Sequence, residues 1–261
     1  MSIDFHTHVF HPKIADKVLD QLENHYGIEP VGTGLVDDLL FCLDKAGIDR
    51  GVVHTAATSP DQVIPANNWS IFINENYPRL TAFGTLHPEY EKWEQELKRL
   101  ELKGIKGLKF HPDFQGYDLS DPRLDPIFES IGSRFVLLFH VGDRLPPEIN
   151  PSSPGKLAII RKKFSKLTIV AAHLGGYLHW GESIKHLAGT DVFLDTSSSL
   201  PFIKDDDLRN ILRTHPQERI LFGSDYPLFD PMSEIRLLKE KAGFKEREVA
   251  RILDNGLQLI F

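Results

Sequence analysis

The sequence predicts an α/β protein: a (β/α)8 TIM barrel, single domain, over residues 1–261. Three observations carry this expectation. Eight short runs rich in Val, Ile, Leu and Phe recur along the chain, as in parallel strands buried on both faces. Amphipathic patterns fill the gaps, giving a βα unit about every thirty residues, the rhythm of a barrel of this length. A doubly wound open sheet would carry a glycine-rich dinucleotide turn after its first strand, and none follows SIDFHTH.

Taken in order, the strand-like runs are 2–8 (SIDFHTH), 51–57 (GVVHTAA), 80–86 (LTAFGTL), 105–111 (IKGLKFH), 135–141 (FVLLFHV), 167–173 (LTIVAAH), 192–197 (VFLDTS) and 219–225 (RILFGSD). The first helical pattern is 35–46, where Leu35, Leu39, Leu43 and Ala46 form one stripe. Others cover 67–77, 90–102, 124–132, 154–165, 205–214 and 232–242, with 245–261 as a closing helix. Ser153 before Pro154 and Asp230 before Pro231 read as caps, and Asn68 reads either as a cap or as a pocket residue.

A net charge of −7 argues against a general nucleic-acid binder. Cys42 is the sole cysteine, so no intrachain disulfide forms. No run approaches the ~18 apolar residues of a membrane span. The N-terminal stretch lacks a basic region followed by an apolar run. The expectation is a cytoplasmic protein acting on a small molecule, with no nucleic-acid or membrane partner.

In a barrel the C-terminal strand ends converge on one face, which holds the active site. The first strand delivers His6 and His8, the fourth Lys109 and His111, the fifth His140, the sixth His173 and the eighth Asp225. His6 and His8 are two apart and share a strand face, so both can chelate one cation. His-x-His alone does not define a metal site. His140 also reads as a hydrogen-bonded core histidine, and Asp225 as a turn residue before Pro227. Their meeting at strand ends favours a divalent metal, by default Zn2+, whose water would supply hydroxide. His173 reads as a second-metal ligand or as an acid/base group. Lys109 reads as a carbamylated metal bridge, a holder of an anionic substrate, or the partner of a carboxylate. His111 and His87 are expected to line the pocket. Arg144 reads as a clamp for a substrate carboxylate or as a solvated loop residue. His25, His179, His186 and His215 read as surface or packing residues. Gly142, Gly175 and Gly176 permit close approach of backbone at the strand ends.

The motifs DFHTHVF, GLKFHP, LLFHVGD, AAHLGG, ILFGSDYP and the closing ARILDNGLQLIF span nearly the whole chain. Together they resemble the amidohydrolase superfamily, most of all the branch of amidohydrolase-related hydrolases and aminocarboxymuconate-semialdehyde decarboxylase. The resemblance implies that His6, His8, His140 and Asp225 ligate the metal. It makes His173 the catalytic histidine of a one-metal site or a ligand in a two-metal site. Lys109 stands near a position where many members carry a carbamylated lysine. A homodimer is expected on the same ground. Two activities follow. The first is hydrolysis of a small ester, lactone or amide, with Asp225 taking the proton from the metal's water and His173 serving the leaving group. The alternative is non-oxidative decarboxylation of an unsaturated or aromatic acid.

Overall fold

In the computed structural model, which describes residues 1–261, every apolar run becomes a parallel strand. They are β1 (Ile3–Thr7), β2 (Arg50–Val53), β3 (Leu80–Ala82, continuing through Phe83 as Gly84–Thr85) and β4 (Gly107–Phe110). Then follow β5 (Val136–Phe139), β6 (Thr168–Ala171), β7 (Phe193–Asp195) and β8 (Ile220–Leu221). Each pairs in parallel with the next. The ring closes between β8 and β1: Phe5 N donates to Phe222 O at 2.7 Å, Asp225 N to His6 O at 2.8 Å, and His8 N to Tyr226 O at 2.7 Å. The result is the (β/α)8 barrel. No helix is long and apolar enough to cross a membrane.

Strand parity divides each strand between two jobs. Val136, Leu138, Phe193 and Leu221 pack with Ile3 and Phe5 in an inner core. The same alternation, carried to the C-terminal ends, brings His140, Asp195 and Asp225 to the barrel mouth. The intervening residues, such as Leu137 and Phe139, belong to the larger core shared with the helices. On β1 the parity changes. Ile3 and Phe5 belong to the inner core, yet His6 and His8 enter the mouth, because the pairing register slips between Asp4 and Thr7.

The helices are α1 (Ala15–Tyr26), α2 (Val36–Ala46), α3 (Val63–Asn76), α4 (Trp93–Leu102), the short α5 (Pro112–Gln115) and α6 (Leu124–Ile131). They continue as α7 (Pro154–Lys163), α8 (Trp180–His186), α9 (Asp205–Thr214), α10 (Pro231–Ala242) and α11 (Glu246–Asn255). Several sequence expectations need correction. The helices α1, α5 and α8 lie outside the expected patterns: Ile14, at the N-cap of α1, makes no side-chain capping bond, and α5 and α8 are only 4 and 7 residues long. Asn68 lies inside α3, which starts at Val63; Pro65 is tolerated there because first-turn N–H groups have no helical partner. Asp230 caps α10 by accepting from Ser233 N, whereas Ser153 stands at the start of α7 without a capping bond. The tail is not one helix. It turns at Gly256, where a Cβ would sit 2.7 Å from the Phe5 ring, and Ile260 then joins the inner core.

On α10, Glu234 is buried and its Oε2 has no partner. Burial first, then Asp225, Asp4 and Asp230, push its pKa up to about 8 from 4.5. Across that window the folded state keeps a proton that the unfolded chain has lost, so stability falls as pH rises. Glu234→Gln is expected to raise Tm at pH 8 and to gain little at pH 5. Scanning calorimetry at both pH values checks this; an equal shift at both would refute the buried proton.

Candidate metal centre

The mouth of the barrel opens into a cavity of about 840 Å³, lined at its inner end by His6, His8, Lys109, His111, His140, His173 and Asp225. The structure therefore brings together seven of the nine residues selected from the sequence. Their hydrogen bonds fix where lone pairs point. His6 Nδ1 faces Asp195 Oδ2 at 2.9 Å, His8 Nδ1 faces His54 O at 2.9 Å, and His173 Nδ1 faces Ser197 O at 3.0 Å. Carboxylate and carbonyl oxygens only accept, so each Nδ1 carries the proton and each Nε2 presents a lone pair.

Those lone pairs converge. His6 Nε2 and His8 Nε2 are 3.2 Å apart, and Asp225 Oδ1 lies 3.1 Å from the second and 3.4 Å from the first. Three acceptors facing one another repel unless a cation lies among them. The ligand atoms of His6, His8 and Asp225 all fall within 4.8 Å of one another. Two imidazoles, one carboxylate and three orienting acceptors behind the imidazoles make a donor set that fits a divalent metal. His140 stands beside this trio rather than within it. Its Nδ1 is 2.9 Å from His173 Nε2, and its buried Nε2 has no partner.

Electrostatics keep the cluster in ligand form. Burial pushes His6 down to about 4, and pushes His54, His111 and His140 well below the usual imidazole range. Burial alone would raise Asp225; His6, His8 and His173 outweigh it and hold the carboxyl well below its ordinary value. Lys109, fully buried, is lowered by burial to about 8, with Asp225 and Asp195 opposing the fall. Its Nζ is 3.4 Å from His6 Nε2 and donates to that lone pair. His173, Ser198 and Asp225 have φ of 62°, 48° and 65°. Non-glycine residues in this left-handed region are strained, and such residues concentrate at functional sites.

His111 is a different case. Its Nδ1 accepts from Phe114 N, so its Nε2 carries the proton and donates rather than ligates. Its ring stacks on His140 at 3.9 Å with 9° between planes. With Asp113 the two rings form a second group whose ligand atoms lie within 4.8 Å of one another, but the His111 lone pair in it is spent on Phe114 N.

One expectation is corrected by placement, that of His87, and Arg144 takes its loop-residue reading rather than the clamp. Both nitrogens of His87 serve the backbone, Nε2 at Gln115 O and Nδ1 at Glu89 N, so it does not line the cavity. The Arg144 guanidinium donates to Tyr26 O at the C-terminus of α1, where a cation suits the helix dipole. With the His25 bond to Asp143 at 3.1 Å, it ties α1 down over the mouth. His179 and His215 are buried with backbone partners, and His186 pairs with Glu182. Gly142 has φ 78°, and a Cβ there would lie 2.4 Å from Tyr177 O, which is the close approach anticipated.

The sequence reading missed Asp195 and His54. Each had the same signal as the others, a polar residue closing an apolar run: Asp195 after VFL and His54 after GVV. Asp195 has a pKa of about 2; burial would raise it, and His6 and Ser197 bring it down. In Asp195→Asn the amide oxygen stays with the donors His173 N and Ser197 N, which turns an NH2 donor toward His6 Nδ1 and disfavours the ligating His6 tautomer. The expected result is a metal affinity about 10–100-fold weaker, measured by competition with a chelator. Unchanged affinity would mean that Asp195 does not orient a ligand.

A family model described as amidohydrolase matches residues 3–255. No curated protein matches the chain. Among solved structures, 2,6-dihydroxybenzoate decarboxylase from Rhizobium is similar with a TM-score of 0.70 at 15% identity, covering 99% of this chain and 98% of that one. A 5-carboxyvanillate decarboxylase from Novosphingobium aromaticivorans, with bound manganese and 3-methoxy-4-hydroxy-5-nitrobenzoic acid, has a TM-score of 0.72 at 15% identity, covering 100% and 97%. A 4-oxalomesaconate hydratase from Rhodopseudomonas palustris has a TM-score of 0.68 at 16% identity, covering 100% and 95%. At these identities the likeness is one of fold.

Proposed function

Because this chain belongs to the amidohydrolase family, we propose that it is a divalent-metal-dependent decarboxylase of an aromatic or unsaturated carboxylic acid. The observation that carries the reading is the buried Lys109 ammonium beside the convergent His6, His8 and Asp225. A buried cation in a substrate cavity calls for an anion, and a carboxylate is the anion that a decarboxylase takes. Asp225 and Asp195 offset part of that charge from within the protein, and a substrate carboxylate would meet it from the cavity side. The solved structures similar in fold include decarboxylases of 2,6-dihydroxybenzoate and 5-carboxyvanillate, which supports the same choice.

His6, His8 and Asp225 would hold the metal, with His140 as the fourth donor. The manganese in one similar structure makes manganese as fitting as zinc. Once bound, such an ion polarises substrate oxygens and stabilises the negative charge that develops in the reaction. The chain's own groups supply the rest. Lys109 pairs with the substrate carboxylate, one of the three roles its place on the fourth strand offers. His111 Nε2–H donates to a substrate oxygen. In the reaction the bond between ring carbon and carboxylate breaks, CO2 leaves, and the retained electron pair takes a proton. His173 Nε2, its lone pair fixed by the bond from Nδ1 to Ser197 O, would take a proton from solvent water and then pass it to carbon. Apolar walls around the cluster keep bulk water from the carbanion-like centre.

The test is CO2 release from a panel of hydroxybenzoates and muconate-type acids by manganese- and zinc-loaded protein. Turnover of at least one acid is expected. No release from any of them, with turnover of lactones or esters, would establish hydrolysis instead. That second reading has its own support: a probable 2-pyrone-4,6-dicarboxylic acid hydrolase from Acinetobacter baumannii and a 4-oxalomesaconate hydratase are similar in fold.

A further inference from the structure

The cavity is much larger than its polar end requires. Its volume of about 840 Å³ lies near the top of the ~300–1,000 Å³ range that encloses drug-sized ligands. The histidine cluster occupies only the inner end. Outward from it lies an apolar stretch of wall, made of Phe10 after β1, Ile14 before α1, Val18 and Leu22 on α1, and Trp69 and Phe72 on α3, with Lys13, Lys17 and Gln21 beside it. The two helices face each other across the opening.

Three details show a surface built to meet a ligand. The Trp69 indole N–H is spent on Val9 O at 3.0 Å, so the ring offers the cavity only an apolar surface. Trp69 stacks on Phe72 at 5.4 Å with 16° between planes, making one continuous apolar wall. At the outer end Phe72 and Ile14 remain 44% and 49% exposed, although the rest of this wall is more deeply covered. Large apolar groups left together in water at the lip of a cavity mark a binding surface. A one-ring acid held at Lys109 would leave that surface bare.

We propose that the substrate is an amphiphile, a carboxylic acid whose reacting end sits at the histidine cluster and whose apolar tail, longer than one aromatic ring, lies between α1 and α3. This rests on the cavity being the substrate site. It does not depend on which bond is broken there. The ties from His25 to Asp143 and from Arg144 to Tyr26 O hold α1 in place as one wall of the tail channel.

The experiment is calorimetric titration of manganese-loaded protein with 4-n-alkylbenzoates, from methyl to hexyl. The dissociation constant is expected to fall about fourfold for each added methylene until the channel is filled. Val18→Asp puts a charge in the α1 wall, and Phe72→Ser removes the exposed end of the α3 wall without opening the core. In each variant the gain per methylene should drop below about twofold. A dissociation constant independent of chain length would overturn the proposal. So would a gradient that survives in both variants, because the tail would then lie elsewhere. The outcome separates from the decarboxylation test: a chain-length gradient without CO2 release removes the reaction and keeps the channel. Release of CO2 from a one-ring acid with no gradient does the reverse.

Discussion

Asp225→Asn is expected to leave the protein folded, to strip it of divalent metal on purification, and to lower turnover at least about a thousandfold. The folding half follows from backbone geometry. Asp225 sits at φ 65°, a region that asparagine tolerates better than most residues, and its backbone N–H to His6 O helps close the barrel whatever the side chain. The metal half follows from charge. Asp225 is the one carboxylate within 3.4 Å of both His6 Nε2 and His8 Nε2. An amide oxygen keeps the shape and loses the negative charge that offsets the cation. Loss of several kcal/mol of charge stabilisation, at about tenfold per 1.4 kcal/mol, gives the stated fall. Elemental analysis measures the first quantity and CO2 release the second. Full metal content with full activity would show that the three side chains meet for some other reason.

How much of this could be read in the residues depended on which level of structure carried the information. His140, Lys109 and Asp225 ended apolar runs, and strand alternation sends the residue after Val136 and Leu138 to the same side as both. The barrel then gathers such residues from distant parts of the chain. Asp195 and His54 obey the same rule but stand behind the imidazoles, Asp195 accepting from His6 and the His54 carbonyl from His8, a role that no ligand spacing marks. The β1 pair was different. His6 and His8 share a face, but their arrival beside Ile3 and Phe5 depends on a register slip that no residue in IDFHT announces. The helix α1 was unread because it has no cap, and its apolar stripe faces a cavity rather than a core. The Arg144 partner is hidden for the same reason: the carbonyl it binds belongs to the end of that helix. Local pattern reaches as far as an element's own faces. It does not reach partners that only the connecting loops bring near.

Lys109→Met should divide acids from neutral substrates. The side chain is 1% exposed, among the largest fully buried in the protein, so methionine fills much of its volume while removing the charge. Truncating one partner of a buried charge pair costs about 2–5 kcal/mol. For a carboxylic acid substrate, kcat/KM is therefore expected to fall about a hundredfold or more, with most of the loss in KM if Lys109 chiefly binds the carboxylate. Metal content should stay at the wild-type level, since an ammonium has no lone pair to ligate with and its bond to His6 Nε2 must give way when a metal takes that lone pair. A lactone or ester without a carboxylate should lose little. If metal content falls with activity, Lys109 belongs to the coordination shell, as in the carbamylated barrels that the motifs resemble. If acids and neutral esters suffer alike, the ammonium is not a carboxylate clamp, and the case for decarboxylation loses the charge argument on which it stands.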